Sequence, residues 1–424
     1  MASVRARVTG WIGRKYLSRA LKKGFDPSAM SFLPDSALLP LRRDGLDPVA
    51  GLRTLREQQP ISKLPIPFGM TVWLVTGYAE AKAALSDADA FSNDFVNLVG
   101  NVGVTAEQNP GGLGFTDPPA HTRLRRLLTP EFTMRRLSRL APLIQSIVDD
   151  QLDIIEKTPG PVDLVQTFAL PIPSLAICEL LGVPYEDRAD FQRLGAARFD
   201  LFAGAGASLG AINESLAYLL DIVKGQREKP GDGLLGMLVK EHGDQVSDRE
   251  LAELADGLLT GGFETTASML ALGALVLLRD PESFALLSEN DEAVNPFVEE
   301  LLRYLTVVQV AFPRLAKKDL AIAGTKIASG DIVLVSLSGA NRDASLGAAM
   351  DSFDRSRPAT SHLAFGHGIH RCIGAELARM ELRTAYPSLV RRFPKLRLAD
   401  GPDDLAFRQL SIVYGVEALP VRVD

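Results

Sequence analysis

The 424-residue chain is poor in cysteine, with Cys178 and Cys372 alone. They stand too far apart for a metal-clip spacing and are too few for a disulfide framework, which excludes a stapled fold and a multi-cysteine cluster. That usage suits a reducing compartment and points to the cytoplasm. A dominant charge is missing too. Forty-six basic against 52 acidic side chains leave a formal net charge of −6, so no global field grips nucleic acid. No internal repeat, low-complexity tract or Pro/Ser/Gly linker divides the chain. At 46% hydrophobic and 23% charged residues the composition is globular, excluding disorder, collagen-like fibres and coiled coils.

What is present starts with a basic N-terminus. Arg5, Arg7, Arg14, Lys15, Arg19, Lys22 and Lys23 precede any acid, as in a transit peptide or a membrane-surface helix, but no apolar signal core accompanies them. Val4, Val8 and Trp11 share a helical face with Lys15, Arg19 and Lys22. The broken amphipathicity favours a solvated or body-packed helix over residues 1–25, with weak membrane-surface contact as the other reading. Between Asp256 and Arg279 the only charge is Glu264, a run long enough to cross a bilayer. A capping box of Ser247 with Glu250, and acidic turns at Glu250, Glu253 and Asp256, instead predict a central core helix ending before Pro281.

Three- and four-residue apolar spacing predicts helices over Leu137–Ile155, Leu216–Val223, Phe297–Leu305 and Leu377–Phe393. β-branched runs punctuated by glycine and proline predict strands within Ile61–Val75, Val307–Ser336 and Leu396–Val423. Asn93–Gly114 and Phe202–Gly210, rich in small residues, read as coverings or lids. The expected architecture is mainly α with small β-sheets, one large domain over 26–424 around a buried central helix.

The stretch Phe365-Gly366-His367-Gly368-Ile369-His370-Arg371-Cys372-Ile373-Gly374 carries the most information. It puts Cys372 at the start of a helix, where free amides and Arg371 favour a thiolate. Its glycines let the backbone approach something flat and bulky. This stretch resembles the cysteine-ligand loop of the cytochrome P450 family, Phe-Gly-x-Gly-x-x-x-Cys-x-Gly. Gly261-Gly262-Phe263-Glu264-Thr265-Thr266 resembles the family's oxygen-activating helix motif, and Glu300-Leu301-Leu302-Arg303 its Glu-x-x-Arg pair. Ala340-Asn341-Arg342-Asp343 and Phe353-Asp354 to Arg357 follow in order.

The resemblance implies the P450 fold and a haem b with Cys372 as axial iron ligand, cradled by Phe365, Gly366 and Gly374. It implies propionate contacts from His121 and Arg125, four apart on one helix face, and from Arg314 and His370. Glu300, Arg303 and a second arginine, Arg357 with Arg355 as its rival, would form a structural network behind the cysteine. Glu264 and Thr265 would relay protons, with Gly261 and Gly262 opening the helix hydrogen bonding for oxygen and a water. The bland alternative is a capping acid and a backbone-bonded threonine. Substrate-facing positions map onto Val310, Ala311, Ile412 and Val413, with Phe115 added; all are apolar, so the pocket would select by shape.

No nucleotide-binding loop, flavin segment or iron–sulfur cluster occurs in the chain, so electrons would come from a separate ferredoxin and its NAD(P)H-dependent reductase. Arg125, Arg126, Arg135, Arg136 and Arg371 could form the docking patch. The implied activity is O2-dependent hydroxylation of an apolar molecule: a fatty acid, terpenoid, steroid or polyketide. A peroxide-driven peroxygenase is the catalytic rival, and a haem sensor the rival without catalysis.

Overall fold

The computed structural model describes residues 34–66, 70–94, 97, 112–183, 205–399 and 405–424. The basic segment 1–25, most of Asn93–Gly114 and residues 202–204 of the second covering lie outside the described residues.

The helices that position the site are α1 (Ala120–Leu128), α2 (Ala141–Lys157), α3 (Pro171–Leu181), α4 (Ala205–Glu228), α5 (Asp248–Arg279), α6 (Val294–Leu305) and α7 (Ala375–Arg392). α2 starts four residues later than apolar spacing alone predicts. Leu137 ends a separate short helix, and Pro142 sits in the first turn of α2, where its missing N–H costs nothing. α7 runs through Pro387, giving up one backbone hydrogen bond inside a buried helix.

α5 is the structural axis. Ser247 Oγ accepts from the Glu250 N–H and the Glu250 carboxylate accepts from the Ser247 N–H, closing the capping box. At ~1.5 Å per residue its 32 residues span about 48 Å. It is the one helix among the described residues long and apolar enough to cross a membrane, and 78% of its most apolar stretch is buried by protein. α3, α4 and α7 pack around it, so its leucines face side chains on every side, each contributing roughly 1.5–3 kcal/mol.

A five-stranded sheet flanks the helical body. Its strands are β1 (Ile61–Leu64), β2 (Val72–Val75), β3 (Phe91–Ser92), β4 (Arg314–Ala316) and β5 (Ile332–Val335), in the order β1-β2-β5-β4-β3. β5 runs parallel to β2, pairing Ile332 with Val72, and antiparallel to β4, pairing Val333 with Arg314. Leu363 packs in the apolar cluster under this sheet, whereas Phe365 and Ile373 pack on the helical core. The cysteine loop thus lies where the two cores meet.

Gly273 on α5 shows how tightly that body is packed. A Cβ there would come within 2.5 Å of Tyr386 Cζ, and the Tyr386 hydroxyl donates to Met269 O. Gly273→Ala should lower unfolding free energy by about 1–3 kcal/mol, by overpacking, in a denaturant titration.

Candidate functional site

Cys372 lies at the end of a closed loop. Its N–H donates to Phe365 O at 2.8 Å. Gly366 and Gly368 hold φ of 68° and 73°, in the left-handed region that glycine tolerates. A Cβ on Gly368 would collide with the Leu85 carbonyl. α7 begins at Ala375, with Gly374 as its N-cap, so Cys372 lies just ahead of the helix N-terminus. Cys372 is exposed, and the Gly374 N–H with the charges of Arg125, Arg371 and Arg379 favours its thiolate against desolvation by the surrounding atoms.

Beside the loop lies a basic corner assembled from three distant segments. α1 contributes His121 and Arg125, β4 contributes Arg314, and the loop itself contributes His370. The His121 and His370 ring centroids are 4.4 Å apart. His370 Nδ1 lies 3.1 Å from Leu113 O, whereas both His121 ring nitrogens are buried without a hydrogen-bond partner. Burial drives Arg314 down to about 10, opposed by Asp117. Burial, helped by Arg314, His121 and Arg125, drives His370 down to about 3. Such depressed bases mark positive charge that an anion would stabilise.

The turn Gly112–Phe115 links this corner to α5. Leu113 O meets His370, and a Cβ on Gly112 would be 3.4 Å from Glu253 O. Along α5, Gly261 is exposed, with open space where a Cβ would stand. The helix continues unbroken through Gly261 and Gly262; Gly261 makes room by lacking a side chain, whereas a Cβ on Gly262 would come within 2.8 Å of Ile177 Cδ1, so Gly262 serves close packing on α3. Thr265 Oγ1 donates to Gly261 O at 2.7 Å, the backbone-bonded state of the bland alternative.

Glu264 is 7% exposed and ion-pairs with Arg408, whose Nη2 also donates to Ser268 Oγ at 2.9 Å. Burial raises the Glu264 carboxyl to about 7, with Arg408 opposing. Sequence reasoning missed Arg408: it belongs to no motif and lies 144 residues from its partner.

The apolar positions sit on two adjoining segments. Val310 bridges to Ser336, Val308 bridges to Val413, and the Gln309 N–H donates to Ile412 O at 2.9 Å. Val310 is buried and Ala311 and Val413 are partly so, but Ile412 is 44% exposed. Phe115 packs edge-on against Phe312, with centroids 4.7 Å apart. Phe312, 50% exposed, was also missed, although it directly follows Ala311. Gln309 pins both segments, donating to Ser411 O at 2.7 Å and accepting from Arg43 Nε at 2.9 Å.

Behind the cysteine loop, Glu300 and Arg303 pair through two 2.7 Å bonds. Arg357 is the second arginine on Glu300, at 3.0 Å. Arg355 turns away to Asp280 and Glu282. On the surface, Arg126, Arg135 and Arg371 are exposed, whereas exposed Arg136 shares buried Glu131 with Arg139.

The sequence profile of the cytochrome P450 family matches residues 221–407. The chain is 42% identical over 388 residues to Cytochrome P450 FAS1 of Rhodococcoides fascians, an alignment covering 90% of this chain and 97% of that protein. The chain belongs to the cytochrome P450 family. It is likewise 40% identical to Nocardicin C N-oxygenase of Nocardia uniformis subsp. tsuyamanensis, covering 88% of this chain and 96% of that enzyme. Its fold matches the structure of OxyE, a cytochrome P450 involved in teicoplanin biosynthesis, with a TM-score of 0.84 at 39% identity, covering 92% of this chain and all of that one. The protein is thus a P450 monooxygenase, an oxidoreductase whose family chemistry runs on haem iron.

Arg357 and Arg355 differ in burial as well as partner. Arg357→Leu removes one of two cations from a buried carboxylate and should destabilise the P450 by about 3–5 kcal/mol. Arg355→Leu, breaking partly exposed pairs, should cost no more than about 1 kcal/mol. Chemical unfolding of both variants separates the two roles.

Proposed function

We propose that this P450 uses a haem b held by Cys372 to insert one oxygen atom of O2 into an apolar small molecule, with electrons from an external ferredoxin and its NAD(P)H-dependent reductase. The residues present fit that group. The carrying observation is the buried His121 ring with two unpartnered nitrogens, set among Arg125, Arg314 and His370 beside the cysteine loop. These four would bind the two propionates, whose charge would restore the depressed bases. Phe365, Gly366 and Gly374 would shape the floor under the ring. A bound iron deprotonates a coordinating thiol outright, so Cys372 would bind as its thiolate. When bound, the haem supplies dioxygen activation, its thiolate ligand favouring O–O cleavage.

The remaining residues manage protons and substrate. Gly261 would give room above the ring, while Gly262 lets α5 pack closely on Ile177. The Thr265 hydroxyl, donating to Gly261 O, keeps its lone pairs free to accept a proton donor. Glu264, raised to about 7, is poised to hold a proton near neutral pH and pass it toward Thr265. Val310, Ala311, Ile412, Val413 and Phe115 would enclose the substrate with few polar handles, favouring shape selection among terpenoid, steroid, fatty-acid or polyketide skeletons. Presence of Glu264 and Thr265 argues against the peroxygenase reading, since peroxide already brings the electrons and protons that this pair would manage.

Cys372→Ser should abolish the carbon monoxide spectrum typical of thiolate-bound ferrous haem, and Cys178→Ser, in the buried body of α3, should leave it intact. Retention of that spectrum in Cys372→Ser would end the proposal. For the electron partner, Arg126→Glu or Arg135→Glu should raise the ferredoxin concentration needed for half-maximal turnover several-fold, with a salt-dependent association rate. Arg136 is a poorer choice because its reversal also disturbs Glu131.

A further inference from the structure

Arg408 lies outside every family motif, yet its contacts single it out. It stands at the base of a C-terminal loop closed by the Phe407–Val416 bridge and by its own N–H donating to Gly415 O at 2.9 Å. Its side chain folds back across Gly415 and reaches α5, where it pairs with Glu264 and Ser268. Only glycine leaves that path open: a Cβ on residue 415 would lie 2.8 Å from both Cζ and Nε of Arg408. Arg408 Nε is buried without a partner. The guanidinium is therefore placed by its two acceptors on α5 and not by an evenly satisfied pocket.

We propose that Arg408 is the positioning residue for Glu264: a guanidinium supplied by the C-terminal loop that clamps the carboxylate on α5 and must release it before the carboxyl takes up and hands on a proton. This rests on the reading of Glu264 as a proton donor. In the clamped state the guanidinium favours the carboxylate and opposes the burial that favours the neutral acid. When the guanidinium withdraws, burial favours the neutral acid and Glu264 binds a proton from solvent water. That proton passes toward the Thr265 hydroxyl, the carboxylate reforms, and Arg408 re-pairs with it. No electrons change hands. The other charged group bearing on Glu264 is Glu417, which favours the protonated form, and Ser268 is neutral.

The test is an infrared pH titration of the Glu264 carboxyl, its band identified by loss in Glu264→Gln, alongside product formed per NAD(P)H consumed. Removing the charge in Arg408→Met should keep the carboxyl protonated to higher pH by about one to three pH units. Gly415→Ala keeps Arg408 but displaces its guanidinium, and should shift the band the same way. Arg408→Lys, retaining a cation, should titrate close to the wild type. The pH dependence of product yield should move with the band, and Arg408→Met should add no shift in the Glu264→Gln background. If Arg408→Met or Gly415→Ala leaves the carboxyl titrating as in the wild type, Arg408 merely anchors the C-terminal loop and the proposal fails. The carbon monoxide spectrum keeps the two readings apart: its absence from the wild type would overturn the haem-thiolate assignment, whatever the Glu264 titration shows.

Discussion

The buried Glu300–Arg303 pair is the constraint on which the site's far side rests. Both side chains are nearly inaccessible, and a charge removed from water costs several kcal/mol unless it is paired and hydrogen-bonded. Arg303 meets that demand by reaching beyond its own helix to the carbonyls of Asn341, Met350 and Ser352. Arg357 closes the other side of Glu300 while donating to Ala348 and Ala349. Asn341 Oδ1 then accepts from the Leu363 N–H. A continuous polar path thus runs from α6 to the segment that leads into Cys372. Displacing any member would leave a buried charge or carbonyl unsatisfied, which holds this irregular stretch to one conformation.

Charge is divided across the cleft by the same economy. At the cysteine end, cations gather without enough local acid, leaving His121 and His370 in ring contact and Arg314 below its ordinary value. On α5 a lone carboxylate is buried with one guanidinium and stays near neutral pH. Neither arrangement is optimal for stability alone. Under-compensated buried charge is tolerated where a ligand or a proton will complete it.

The apolar wall follows a different logic. Ile412 and Phe312 stay exposed although large; the Ile412 carbonyl accepts from Gln309, and the residues just before Phe312 are held by the Val310–Ser336 bridge and the Ala311 N–H to Val335 O. Rigid backbone beneath accessible apolar side chains suits recognition by shape.

Periodicity, capping and loop chemistry were legible in the chain: the core helix with its Ser247–Glu250 box, the glycines around Cys372, the Glu300–Arg303 spacing. These depend on neighbours within a few residues, so local order encodes them. The choice between Arg357 and Arg355 was not legible, because two residues apart in one loop only the folded backbone decides which guanidinium faces Glu300. The same holds for Arg408, which lies 144 residues from Glu264 and reaches it only because Gly415 clears the way. By itself the sequence determined which residue types recur at which spacing, and with them the family and the cysteine loop. Tertiary structure alone decided which charges are desolvated and which partner compensates each, because desolvation depends on everything packed around a group and no local pattern records it.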